Sequence, residues 1–287
     1  MKLAYYPGCV ARSTGKEYDL STRAVAQALG VELEEISDWN CCGATHCSNQ
    51  DLAVALSARN LARTGLPVMT SCSICYSNLR DAAIRLQDRT LRDRVNRVLE
   101  VKYQGSTIKH VLEVIMEGLE GEEGGKRVVV PLGGLRVAPY YGCLLTRPKG
   151  GIDSPEQPQV LESLIRRLGG EPVEFPLKML CCGGPIFMPQ DGATSESVLR
   201  ILRSARQAGA EAVVAVCPLC HLMLDAKQRL AEAKSGEELG LPVLYVTQLA
   251  GIALGLGPDE LGLEMNSVSA LEVAEEIYRR MSGEQQC

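Results

Sequence analysis

Ten of the twelve cysteines in this 287-residue chain fall into two sets of five with the same internal order. Cys9, the adjacent pair Cys41-Cys42 and the motif Cys72-Ser-Ile-Cys75 make the first set. Cys143, Cys181-Cys182 and Cys217-Pro-Leu-Cys220 make the second. The gaps are 31 then 29 residues in the first set and 37 then 34 in the second. Core packing needs no matched cysteine separations. Thiolates brought from distant parts of a fold onto one inorganic centre do need them. Adjacent Cα atoms sit about 3.8 Å apart, below the roughly 4.4–6.8 Å of ordinary disulfides, so a bond within either Cys-Cys pair would be strained. Two soft-metal sites are the expectation. Structural zinc takes four ligands in a tetrahedron, and five per set is one too many. Iron–sulfur chemistry tolerates bridging thiolates, so five fit it better.

Other candidates are weaker. Cys217-Pro-Leu-Cys-His221 matches the haem-attachment pattern CxxCH, but Tyr76 holds the matching place in the first half, and the pattern reads as coincidence. His221 is then either a hydrogen-bond donor to a cluster sulfur or a residue packed at a helix start. His46, in the loop Gly-Ala-Thr-His-Cys-Ser, is a candidate proton donor near a reacting sulfur, weighed against a plain polar loop residue. His110 reads as structural, on a helical face. Cys47 is expected to be a buried spectator, and Cys287 lies in the tail. Arg12, Lys16, Arg147 and Lys149 flank Cys9 and Cys143 and could hold anionic tails or form a solvated rim. Gly251-Ile-Ala-Leu-Gly-Leu-Gly257 lacks the spacing of a dinucleotide fingerprint.

The elements that must position these thiols repeat as well. Tyr5-Tyr-Pro-Gly-Cys9 is echoed by Tyr140-Tyr-Gly-Cys143, and Asn40-Cys-Cys-Gly43 by Leu180-Cys-Cys-Gly183. Each half reads as one duplicated unit. In the first half, strands are expected at 3–6, 31–36 and 66–70, and helices at 20–29, 52–64 and 76–91. In the second, strands are expected at 135–140, 172–175 and 212–216, and helices at 159–168, 196–208 and 221–231. A further strand at 243–246 and a helix at 270–281 complete the second half. The alternation predicts an α/β protein of two domains, each with a small mostly parallel sheet flanked by helices. Residues 1–125 and 126–287 are the expected domains, with 121–134 as the linker. Cys9, Cys72, Cys143 and Cys217 fall where strands end, the usual place for ligands in open α/β sheets. Cys75 and Cys220 sit one turn later, near a helix N-terminus that favours thiolate.

Composition bounds the function. The length suits two domains, and 46% apolar residues with only 4% aromatics give aliphatic cores. A net charge of -5 argues against nucleic acid as a partner. The N-terminus lacks the apolar run of a signal peptide. No apolar stretch reaches membrane-spanning length; the longest, 241–256, is broken by Pro242, Thr247, Gln248, Gly251 and Gly255. A cytoplasmic location is expected, where twelve cysteines serve metals rather than disulfides.

On these residues the chain resembles the B-subunit family of heterodisulfide reductase, built from two tandem cysteine-rich CCG domains. The opening YYPGCVARSTGKEYDLSTRAVAQALG, the DWNCCGA segment and the closing LPVLYVTQLAGIALGLG carry the likeness beyond the cysteines. The resemblance implies two domains related by a pseudo-twofold axis, each binding a non-cubane [4Fe–4S] cluster. The ligands it implies are Cys9, Cys41, Cys42, Cys72 and Cys75 for one, and Cys143, Cys181, Cys182, Cys217 and Cys220 for the other. Some relatives hold zinc or nothing at one set; here neither set lacks a ligand. Also implied are a ferredoxin-like C subunit that delivers electrons and, behind it, a flavin-containing A subunit. The expected chemistry is reduction of a small disulfide, or oxidation of thiols or a sulfur carrier in reverse, by paired one-electron steps. Two alternatives remain: an electron-transfer or anchoring subunit of a succinate- or lactate-type dehydrogenase, and a zinc-stapled interaction module.

Overall fold

The structure, a computed structural model, describes residues 1–44, 47–148, 151–187 and 190–282. The first half runs β1 (Lys2–Tyr5), α1 (Gly8–Ala11), α2 (Lys16–Ala28), β2 (Glu32–Glu35), α3 (Gln50–Ala62), β3 (Val68–Thr70) and α4 (Ser73–Arg85). It continues through α5 (Arg89–Val98), β4 (Ile108–His110), α6 (Val111–Gly118) and α7 (Gly121–Gly125). The second half runs β5 (Arg136–Tyr140), α8 (Val160–Arg167), β6 (Glu171–Pro172), a 3-10 turn at Gly184–Ile186, α9 (Asp191–Gln207), β7 (Ala212–Ala215) and α10 (Pro218–Leu224). After these come α11 (Gln228–Ser235), β8 (Val243–Tyr245), α12 (Val246–Ala253), α13 (Pro258–Leu261) and α14 (Leu271–Ser282).

Each half holds one four-stranded sheet, and every pairing is parallel. The orders β2-β1-β3-β4 and β6-β5-β7-β8 are the same order repeated. The central strands are buried from end to end: Val68-Met-Thr and Ala212-Val-Val-Ala leave no polar face to water. Parallel strands covered by helices on both sides read this way, as apolar runs rather than alternations. The edge strand β2 is Glu-Leu-Glu-Glu, with charges that discourage further pairing.

The expected α/β alternation is present, with local differences. The helix expected at 76–91 starts earlier, at Ser73, and breaks after Arg85, because the Asp88 side chain accepts from the Leu91 N–H and caps a new helix. The helix expected at 221–231 is likewise two, α10 and α11. His110 is not on a helical face: it ends β4, a three-residue strand, and its Nδ1 caps α6 by accepting from the Leu112 N–H. Residues 121–134, read as linker, include the short helix α7.

The halves are packed together. Tyr18 of α2 stacks on Tyr245 at the end of β8, centroids 4.0 Å apart at 16°. Tyr245 stacks in turn on His221, 3.7 Å apart at 13°. The Tyr245 hydroxyl donates to Glu17, and Ser21 and Thr247 share a hydrogen bond of 2.7 Å. Tyr18 OH and Ser73 Oγ both donate to the carbonyl of Val216, at 3.3 and 3.0 Å. Ser73 opens α4, Val216 follows β7 and Tyr245 ends β8, so the seam is built largely from helix starts and strand ends. That is where the cysteines are.

Candidate metal centre

Each sheet ends in a set of thiols. β1 leads into the one-turn helix α1, which carries Cys9, β5 leads into the loop that carries Cys143, and β3 and β7 lead into helices whose N-caps are Cys72 and Cys217. Cys75 and Cys220 lie in the first turns of α4 and α10, as the spacing predicts. The pairs Cys41-Cys42 and Cys181-Cys182 arrive on the loops after β2 and β6. Tyr6 fixes one such loop by donating to the Asn40 carbonyl at 2.8 Å, and Tyr140 fixes the other by donating to the Leu180 carbonyl at 2.6 Å. In both cases the accepting residue immediately precedes the Cys-Cys pair.

The two sets have similar depth profiles. Cys42, Cys72 and Cys75 are buried, and so are Cys182, Cys217 and Cys220. Cys41, Cys143 and Cys181 are half-buried, and Cys9 is exposed. Cys42 and Cys75 sulfurs lie 3.6 Å apart, and those of Cys143 and Cys181 lie 3.9 Å apart. Cys72 and Cys217 come to the same part of the seam: Ser73, next to the one, donates to the carbonyl of Val216, next to the other, at 3.0 Å. A cavity of about 210 Å³ is lined by Cys9, Cys42, Cys72 and Cys75. A smaller one of about 20 Å³ is lined by all five cysteines of the second set. The two cavities share the apolar wall Ile74, Pro185 and Leu219.

Crowded thiols share protons unequally. Cys42 is held down to about 3 by a hydrogen bond from Cys41, then by Cys75, the Ala44 N–H and the Asn78 amide. Cys41 is pushed up by the same bond and by burial. In the second set Cys181 is held low by Cys143, then by Cys182, the Gly183 N–H and Arg147. Cys143 is raised by that pairing. Cys217 is also held low, by Cys220 and then Cys72, so the first set favours one thiolate and the second two, thiolate being the ligand form of cysteine.

The donor set fits an iron–sulfur centre. Each set offers five sulfurs with no carboxylate or imidazole among them, a soft-metal donor set. Among the described residues no group of three His, Cys, Asp or Glu side chains is arranged to hold a single ion. Space is kept open beside the sulfurs by glycine. A Cβ on Gly8 would lie 3.0 Å from Cys75 Sγ, and one on Gly142 would lie 2.9 Å from Cys220 Sγ. Both glycines have positive φ, +76° and +66°, which other residues rarely adopt.

The remaining candidates separate clearly. His46 and Lys149 lie outside the described residues, as does Cys287. Cys47 is half-buried and its thiol donates to the Asn49 carbonyl, so it is turned to its own loop. Arg12 is committed to Glu35 and Asp19, and Lys16 is exposed. Arg147 lines a polar surface cavity of about 790 Å³ beside the second set. His221 donates from Nε2 to the Val243 carbonyl, or shares that nitrogen with Asn266, and is packed at its helix start. His110 could not be read from sequence as a residue of the seam, because a three-residue strand leaves no periodic signal.

Comparison with known proteins agrees with this geometry. The cysteine-rich domain family, CCG, matches residues 3–80 and again 137–225. The chain is 35% identical to the 8-methylmenaquinol:fumarate reductase membrane anchor subunit of Wolinella succinogenes, over 95% of this chain and 99% of that one. It is 31% identical to the B subunit of the ferredoxin/F(420)H(2)-dependent CoB-CoM heterodisulfide reductase of Methanosarcina acetivorans, over 98% of this chain and 99% of that one. The fold matches the crystal structure of a hypothetical protein from Helicobacter pylori with a TM-score of 0.78 at 14% identity. That match covers 94% of this chain and 52% of the solved chain. No described helix is long and apolar enough to cross a membrane. Two CCG domains in tandem, matched over nearly the whole length by proteins of this kind, mean that the chain belongs to the B-subunit family of heterodisulfide reductase.

Proposed function

We propose that this chain is the iron–sulfur catalytic subunit of a heterodisulfide reductase-like complex, and that it reduces a small disulfide or runs the reverse thiol oxidation. The observation that carries the reading is that two five-thiol sets lie at one seam, their cavities sharing the wall Ile74, Pro185 and Leu219 and Ser73 beside Cys72 donating to the Val216 carbonyl beside Cys217. One non-cubane [4Fe–4S] cluster is assigned to Cys9, Cys41, Cys42, Cys72 and Cys75. The other is assigned to Cys143, Cys181, Cys182, Cys217 and Cys220. When bound, such clusters supply electrons one at a time, and a disulfide needs two electrons and two protons to give two thiols. The chain's residues do the rest. The ten thiols hold both centres at one seam. Ile74, Pro185 and Leu219 make the shared wall apolar and keep water from it. Tyr6 and Tyr140 fix the Cys-Cys loops in place. His46 remains the proposed proton donor. The domain boundary at 125/126, a ferredoxin-like electron donor with a flavin-containing protein behind it, and a cytoplasmic site belong to the same proposal.

The relative from Wolinella supports a second reading, in which the chain carries electrons or anchors a dehydrogenase without binding a disulfide. One experiment separates the two. Oxygen-free protein is oxidised, mixed with a small disulfide and with its thiols, and followed by electron paramagnetic resonance. A new cluster signal that appears with sulfur ligand, together with disulfide-dependent turnover of a reduced dye, supports the catalytic reading. Spectra indifferent to every disulfide and thiol support the electron-carrier reading.

A further inference from the structure

The two helices that carry the CxxC motifs diverge soon after their thiols. Five residues beyond Cys220 stands Asp225, and five beyond Cys75 stands Arg80. Asp225 is buried, and its carboxylate accepts from the Ser267 and Val268 N–H groups at 2.7 and 2.9 Å. At this place the second half uses an acid to draw in a later stretch of its own chain. In the first half the charge is reversed, and Arg80 holds no such stretch.

A cavity of about 350 Å³ opens there instead, between α4, α5 and the stretch leading into β4. Arg80 of α4 and Arg92 of α5 line it, together with Leu86, Tyr103, Ser106 and Ile108. Both arginines are half-buried. Among the described residues neither forms an ion pair. Arg80 donates to the Tyr76 hydroxyl at 2.5 Å and lies over that ring, and the Arg92 guanidinium has no hydrogen-bond partner. Glu113, within the field of Arg80, is engaged by the His110 N–H at 2.7 Å. The neighbouring arginines differ: Arg85 and Arg94 are paired with Asp51, and Arg89 with Asp93. Among the described residues no carboxylate lines the cavity. A guanidinium drawn partly out of water without a counter-ion is costly, and its planar fork of donors matches a carboxylate or a phosphate. Two such forks beside the buried side chains of Leu86 and Ile108 describe a ligand with an anionic head and an apolar body. The volume is that of a small-molecule site.

We propose that this cavity binds a small organic anion, a carboxylate or phosphate monoester with a short apolar arm, and that Arg80 and Arg92 hold its head. The site is separate from the thiol seam, since none of the ten paired-set cysteines lines it. α4 nevertheless carries Cys75 in its first turn and Arg80 further along, so an occupant and the first thiol set share one helix. The inference stands apart from the proposed clusters and does not depend on their presence.

The test is calorimetric titration of the full chain, prepared without oxygen, with n-butyl phosphate, with butyrate and with neutral n-butanol. At least one anion should bind and the alcohol should not, and the stronger anion identifies the head group as phosphate or carboxylate. Arg92→Gln should weaken that binding at least about tenfold, the loss of a charged hydrogen-bond donor. Arg92 has no partner to lose, so this variant should melt with the wild type. Arg80→Gln should weaken binding to a similar degree. Arg97→Gln removes the same charge from an exposed position of α5 outside the cavity, and at physiological salt should change the affinity by less than about twofold. No binding of either anion, equal binding of the alcohol, or equal weakening by Arg97→Gln and Arg92→Gln would overturn the inference and leave the proposed function standing.

Discussion

Replacing Gly8 by Ala should cost the first thiol set its metal while leaving the second loaded. Two effects are built into this position. Positive φ costs a residue with a Cβ about 1–2 kcal/mol, and the new Cβ would stand 3.0 Å from Cys75 Sγ. Ordinary contact between heavy atoms begins at about 3.5–4.0 Å, so the sulfur must retreat by ~0.5–1 Å. Metal–ligand bonds tolerate departures of only about 0.2 Å. Gly30 provides the control. Its φ is +71°, and a Cβ there meets nothing within 4 Å. Gly30→Ala therefore carries the same backbone cost without the intrusion. The assay is iron and acid-labile sulfide per chain on protein prepared without oxygen, alongside urea unfolding. Gly30→Ala should lose about 1–2 kcal/mol of stability and keep its iron. Gly8→Ala should lose about half the iron, and Gly142→Ala the other half. Full iron in Gly8→Ala, or iron loss in Gly30→Ala as large as that in Gly8→Ala, would refute the argument that glycine keeps the space for the centre.

Three further outcomes are expected. Lys178 and Glu162 form a largely buried ion pair, to which the Tyr141 hydroxyl also donates. Lys178→Met leaves that carboxylate without its counter-ion and should destabilise the chain by about 3–5 kcal/mol, read by urea unfolding. Glu17 is pushed above its usual value by burial, against the pull of the Tyr245 hydroxyl. A raised carboxyl favours the fold fully only below the unfolded pKa and loses that contribution as pH rises through the folded one. Glu17→Gln should therefore raise the melting temperature at pH 7 to 8 and give no gain below about pH 4, seen in melting curves across that range. Tyr18→Phe removes one of the two donors to Val216 O but keeps the stack, and should cost about 0.5–1.5 kcal/mol in urea unfolding.

The sequence made the site legible and hid the seam. Ten cysteines in two matching sets were legible from spacing alone, whereas the space that Gly8 and Gly142 leave beside Cys75 and Cys220 shows only in the fold. The central strands were legible for a related reason: in a sheet covered on both faces they are unbroken apolar runs such as Val213-Val214-Ala215, whereas the three-residue edge strand β4 was not read. Helix breaks were less so. Asp88 caps a new helix within a stretch whose periodicity runs on, and a cap is visible only once the chain is seen to turn there. Contacts between the halves left no trace in local pattern. Ser73 and Val216 are 143 residues apart, and nothing in either neighbourhood says that they touch.

The most direct test of the paired-cluster site is the content of iron, acid-labile sulfide and zinc per chain in protein purified without oxygen. Iron and sulfide for two four-iron clusters, with no zinc, is the predicted result. Iron for one cluster beside one zinc would contradict the paired catalytic site and turn the reading toward an electron-carrying or anchoring role. Zinc without iron would contradict redox chemistry at these thiols altogether.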